Sequence, residues 1–135
     1  NKKRRFGMKL NYEKILAEAH EAGMAAGSAK VATPMTLVES DLFDNPIGKT
    51  YYVPEGPCGF AWVVTHEHGN GKFVKYLKSI SDGPTVGNKY YYGGYYVKWV
   101  REFGQSIEKK EAYADAYAAI LKDYGIKAYS GSRLD

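Results

Sequence analysis

The hydrophobic positions of this chain change period several times along its length. Behind Asn11, Ile15, Leu16 and Ala19 recur at helical spacing, and the Asn11 side chain can accept from the first turn, so a helix is expected to about Lys30. Its second half holds Ala22, Gly23, Ala25, Ala26, Gly27 and Ala29. Two glycines in a helix cost about 1 kcal/mol each against alanine, so this small face is expected to seat closely on a sheet. Pro34 ends the helical stretch. Thr36–Glu39 and Thr50–Val53 read as short strands around an acidic turn, Asp41–Gly48, broken by Asn45-Pro46. Phe60–Thr65 is almost continuously apolar, which predicts a central strand covered on both faces.

The second half alternates. Asn70 is a candidate cap for a helix from Lys72 to Ile80, with Phe73, Val74, Leu77 and Ile80 inward. Tyr90–Val100 is strand-like, with Gly93-Gly94 marking a bulge or hairpin turn. Strict alternation beyond the glycines sends Tyr95, Val97 and Trp99 to one side and Tyr96, Lys98 and Val100 to the other. Ser106 caps the strongest helical pattern, Ile107, Ala114, Tyr117, Ala118, Leu121 and Tyr124, and Gly125-Ile126 closes it. A last strand is expected at Ile126–Ser130, followed by a polar end at 131–135. The pattern predicts an α+β domain over residues 8–135: a single mixed β-sheet of four to five strands packed with three helices.

Charge changes this picture in one respect. Lys and Arg exceed Asp and Glu by four, 19 against 15, and Lys2, Lys3, Arg4 and Arg5 account for the whole excess. Residues 1–7 have the composition of a disordered basic arm, or of a remnant ahead of a start at Met8. The remainder is neutral but polarised: residues 72–110 hold eight basic and three acidic residues, and residues 39–55 hold four acidic and one basic. A single cysteine, Cys58, excludes an intramolecular disulfide and fits a reducing compartment. No apolar run approaches the ~20 residues that span a bilayer, and the N-terminus lacks the apolar segment of a signal peptide. The expectation is no membrane partner, no secretion by its own signal, and a cytoplasmic or virion location.

Catalytic chemistry finds thin support. Cys58 lies between glycines at the start of the central strand, with His66 and His68 beyond its far end. At roughly 3.3 Å per residue, Cys58 and His66 stand on the order of 20 Å apart, too far for a dyad. His20 on the first helix is the third candidate base. His66-Glu67-His68 places two imidazoles on one side of an extended chain, but two ligands do not make a metal site. No metal and no cofactor is expected, and the enzyme question leans towards no.

The outlier is aromatic composition, with 13 Tyr among 20 Phe, Trp and Tyr. Lys89–Arg101 concentrates it: Tyr91, Tyr92, Tyr95, Tyr96, Lys98 and Arg101 are the candidate binding residues. Rings interleaved with cations suit single-stranded nucleic acid, where bases stack and phosphates pair, and Lys2, Lys3, Arg4 and Arg5 would add to that. Tyrosine strands equally suit protein interfaces.

Several strings resemble a family of small proteins encoded by bacteriophages and prophage-like elements. They are Ala32-Thr33-Pro34-Met35, Cys58-Gly59-Phe60-Ala61-Trp62-Val63, Tyr92-Gly93-Gly94, Gln105-Ser106-Ile107-Glu108-Lys109-Lys110-Glu111-Ala112, and the run from Gly125 to Asp135. The resemblance covers about residues 8–135. It implies a viral origin and action in a bacterial host or a virion, and it brings no activity, cofactor or catalytic residue. The leading expectation is a non-enzymatic protein that binds a host or viral protein, or itself, through the tyrosine-rich strand. The alternatives are a single-stranded nucleic-acid binder and a small Cys/His-dependent enzyme or metal-binding protein.

Overall fold

The computed structural model describes residues 9–43, 45–80 and 82–135; Lys2, Lys3, Arg4 and Arg5 lie outside the described residues. The order is α1 (Tyr12–Ala29), β1 (Met35–Ser40), β2 (Pro46–Val53), β3 (Gly59–Thr65), α2 (Lys72–Ser79), β4 (Tyr95–Trp99), α3 (Ile107–Asp123) and β5 (Ala128–Leu134). The α+β class with three helices and five strands is as expected. The strands divide between two sheets, a β1–β2 hairpin and a sheet ordered β4-β3-β5, and every pairing is antiparallel rather than mixed. β4 and β5 run in the same direction on either side of β3, and α3 is the crossover between them.

The central position of β3 follows from its composition. Ala61, Val63 and Thr65 face the helices and are fully buried. Their neighbours in the core are Ile15 and Ala19 of α1, Phe73 and Leu77 of α2, and Ala114, Tyr117, Ala118 and Leu121 of α3. Thr65 satisfies its hydroxyl by donating to the Lys127 carbonyl at 2.6 Å, as a buried polar group must.

The small-residue face of α1 meets a helix rather than the sheet. A Cβ on Gly23 would lie 2.6 Å from the ring of Tyr113, and one on Gly27 would lie 2.3 Å from the ring of Phe103. Gly23 makes space for Tyr113, a fully buried ring on α3, and Gly27 makes space for Phe103 in the loop ahead of α3. α1 is otherwise as expected, with Asn11 accepting from the Lys14 N–H.

Three boundaries differ from the sequence reading. Gly71, not Asn70, precedes α2, and the Asn70 N–H is engaged by His68 Nδ1 at 3.1 Å. β2 begins at Pro46, so the acidic turn between β1 and β2 is short. β5 runs on through Gly131, Ser132 and Arg133 because each has a partner on β3: Trp62, Ala61 and Phe60. α3 starts and stops as expected: Ser106 Oγ accepts from the Lys109 N–H, Gly125 takes φ 79°, and the Ile126 N–H returns to the Leu121 carbonyl. Among the described residues no helix is long and apolar enough to cross a membrane.

Candidate binding face

Alternation along β3 that sends Ala61 and Val63 to the helices sends Phe60, Trp62 and Val64 to the opposite face. There Trp62 stacks on Trp99 of β4, with ring centroids 5.5 Å apart and planes 9° from parallel. Phe60 packs against Trp99 at 5.7 Å, Tyr96 meets Trp99 edge-on at 6.3 Å, and Tyr90 meets Trp62 and Tyr96. Arg133 of β5 lies 5.1 Å over the Phe60 ring, a cation–π contact. Further along, Tyr129 of β5 packs on His66 at 4.7 Å. All these rings come from β3, β4, β5, the turn ahead of β4 or the loop after β3; no helix contributes one. The expectation that both faces of β3 would be covered is met on one side by helices and on this side by the aromatic side chains themselves.

Two local irregularities build the face. Tyr90–Gly94 is a tight turn: the Tyr90 N–H donates to the Gly94 carbonyl, the Gly93 N–H returns to Tyr90, and both glycines have positive φ. A Cβ on Gly94 would lie 2.5 Å from the Thr65 carbonyl, so only glycine lets the turn close on β3. Tyr91 and Tyr92 stand out from this turn, 89% and 77% exposed. The second irregularity is a β-bulge. Lys98 pairs with Val63 and Tyr96 pairs with Val64, which leaves Val97 as an extra residue. Tyr96 therefore shares a face with Trp99, contrary to strict alternation, while Tyr95, Val97 and Lys98 turn towards the helices.

The six tyrosine-strand candidates accordingly separate. Tyr91, Tyr92 and Tyr96 belong to the aromatic face. Arg101 sits beside it, paired with Asp82 at 3.2 Å, and with Asp82–Thr85 and Trp99 it lines a cleft of about 250 Å³. Tyr95 lies on the helix side with Lys78 5.2 Å over its ring. Lys98 is only 9% exposed, 3.1 Å from Glu102 and 5.6 Å over the Tyr113 ring. Glu102 loses solvation there, but the hydrogen bond and charge of Lys98, with the N–H groups of its own residue and Arg101, hold its carboxyl below the usual glutamate range. The face thus presents few free cations.

Two hydroxyls on this face, those of Tyr96 and Tyr129, hold their protons more firmly than a free phenol. Burial, then the neighbouring Tyr90, raises the Tyr96 phenol, and Arg133 only partly offsets this. Burial and Tyr90 also raise the Tyr129 phenol, which donates to the Gly93 carbonyl at 3.2 Å. The face therefore sets the Tyr96 and Tyr129 hydroxyls among apolar rings, with Arg133 over Phe60 as its cation.

No family model matches this chain, and neither curated proteins nor solved structures give a match. The face has to be read from its own chemistry.

The cysteine and histidine candidates are dispersed. β3 runs unbroken from Gly59 to Thr65, with Cys58 before it and His66 after it. Cys58 forms a bridge with Ser106 at the head of α3. His68 is taken by the Asn70 N–H. His20 Nδ1 lies 2.6 Å from the Tyr113 hydroxyl on the other side of the molecule from the aromatic face. Among the described residues no three His, Cys, Asp or Glu side chains come together as a metal would require. Sequence reasoning missed Phe60, Trp62, Trp99, Tyr129 and Arg133 as one surface. Phe60, Trp62 and Val64 at period two carried that signal, hidden because the residues between them are apolar as well.

Proposed function

We propose that this protein is a protein-binding module whose contact surface is the aromatic face of the β4-β3-β5 sheet. The observation that carries this is the cluster of half-buried rings, Phe60, Tyr90, Tyr96 and Trp99, seated on the buried Trp62 of a sheet face over which none of the described helices lies. Tyr, Trp and Arg are the residues enriched in interface cores, and a rigid ring needs little ordering when it binds. Tyr91 and Tyr92 extend the surface as a raised knob. The β1–β2 hairpin adds a second apolar element: Leu42 and Phe43 at its tip are 99% and 83% exposed, and Leu37, Val38, Tyr51 and Tyr52 along it are exposed as well. An isolated two-stranded hairpin has little stability of its own in water, so a partner surface suits it.

A single-stranded nucleic-acid partner is the second reading, supported by the stacked rings with Arg133 beside them. It is weakened by the inward turn of Lys98 and the pairing of Arg101 with Asp82. The resemblance to phage-encoded proteins favours a host or viral protein as the partner.

Capture from bacterial lysate by the full chain tests the proposal. The same partner should be lost with Tyr91→Ser plus Tyr92→Ser, and single-stranded DNA and RNA should give no salt-sensitive mobility shift. Retained capture by the double variant, or a salt-dependent shift, would refute it.

A further inference from the structure

Among the described residues, β5 has a row of backbone groups with no backbone partner. In the β3–β5 ladder the Asp135 N–H donates to the Cys58 carbonyl and the His66 N–H donates to the Lys127 carbonyl. The hydrogen-bonded pairs of this antiparallel ladder are therefore 60/133, 62/131 and 64/129, and the alternate residues of β5 turn their N–H and C=O groups outward. β5 is the last strand of its sheet, so the outward groups belong to Ala128, Ser130, Ser132 and Leu134. None of them has another backbone partner among the described residues. The outer edge of β4 is different: the Tyr96 N–H donates to Asn88 and the Gly87 N–H to Tyr96. Among the described residues β5 therefore offers the longer open edge of this sheet.

Two carboxylates flank that edge. Ser130 Oγ donates to Asp115 and Ser132 Oγ donates to Glu111, each at 2.5 Å, which draws these two acids of α3 to the margin of the sheet. Each carboxylate keeps a second oxygen free of these bonds. No cation is bonded to either among the described residues.

We infer that the β5 edge accepts an extended segment of a partner polypeptide carrying lysine or arginine at alternate positions. Its backbone would complete the ladder at 128, 130, 132 and 134. Its cations would lie on the α3 side against Glu111 and Asp115, and its intervening side chains would extend the aromatic face beside Tyr129 and Arg133. Charge complementarity selects this occupant over a second copy. Pairing β5 with itself in the antiparallel sense would set Ser130 opposite the partner's Ser132 and bring Glu111 and Asp115 of both copies together, four like charges at one seam. This surface is separate from the Tyr91–Tyr92 knob, so it stands whether or not the aromatic face binds a protein.

The test uses the full chain with a synthetic decapeptide of alternating lysine and valine, and a glutamate–valine decapeptide as control. Amide hydrogen exchange should slow at Ser130 and Ser132 on adding the lysine peptide, and the glutamate peptide should have no effect. Glu111→Gln plus Asp115→Asn keeps acceptors for both serines and should weaken binding about tenfold, while Glu13→Gln plus Glu21→Gln, which removes the same charge from exposed positions of α1, should leave it unchanged. Binding without protection at Ser130 and Ser132, equal binding of the glutamate peptide, or concentration-dependent dimerisation that protects those amides unaided would overturn the inference.

Discussion

Gly131 lies against the indole of Trp62, so close that a Cβ at position 131 would sit 2.4 Å from Nε1. The two residues are cross-strand partners, and Trp62 is 7% exposed. Nε1 finds no hydrogen-bond partner among the described residues. Gly131→Ala should cost about 1–3 kcal/mol, the usual penalty for forcing a packed ring aside. Urea unfolding followed by tryptophan fluorescence measures it, and an unchanged midpoint would show that the indole has room to move.

Gly23→Ala tests the α1–α3 contact with a sign reversal. In an ordinary helix this substitution gains about 1 kcal/mol. Here the new methyl meets the Tyr113 ring at 2.6 Å, and destabilisation of about 1–3 kcal/mol is expected. The solvent-facing Ser28→Ala is the control on the same helix and should change stability by less than about 0.5 kcal/mol. A stabilising Gly23→Ala would mean that Tyr113 has another place to go.

Alkaline pH should unfold the protein through two tyrosines. Burial, then nearby carboxylates, raises the Tyr113 phenol, and burial with Asp82 and Glu102 raises Tyr117. A raised phenol keeps its proton in the folded state after the unfolded state has lost it. The stability it contributes is therefore complete below about pH 10 and falls as pH climbs above that value, by about 1.4 kcal/mol per pH unit for each such group. Tyr117→Phe should flatten the slope between pH 10 and 12 by about one proton. Parallel curves for wild type and variant would reject the assignment.

The acid limb has a different source. The Glu102 carboxyl is held below its ordinary range, so its stabilisation is present above about pH 4.5 and is lost as pH falls through the folded value. Glu102→Gln should remove part of that acid dependence. It should also cost about 1–3 kcal/mol at neutral pH, because Lys98 is left in a mostly buried site without its counter-charge. Unfolding midpoints at pH 7 and pH 3 for both proteins decide this.

Elements whose local chemistry is self-contained were legible in the sequence. Asn11, Ser106 and Gly125 each bond within a few residues, and each marks its helix terminus as expected. The apolar run around Trp62 announced a central strand. Features that depend on a distant partner were not legible. The small face of α1 gives no hint that its neighbour is Tyr113, and the polar end at 131–135 does not read as strand until β3 is alongside. The aromatic face was half visible: Tyr91, Tyr92 and Tyr96 stood out by composition, but the Phe60–Trp62 side was masked by uniform hydrophobicity. Lys98 was placed with the ring-bearing surface because alternation cannot register an inserted residue.

That inserted residue, Val97, makes β4 a two-sided part. Tyr96 and Trp99 are three apart in the chain, a separation of odd parity that an unbroken strand would send to opposite sides. With the same residues and no bulge, Tyr96 would face away from Trp99: either Tyr96 would leave the surface, or Trp99 would leave it and Lys98 would leave Glu102. A single backbone irregularity thus lets Tyr96 and Trp99 share the outer surface while Lys98 stays with Glu102.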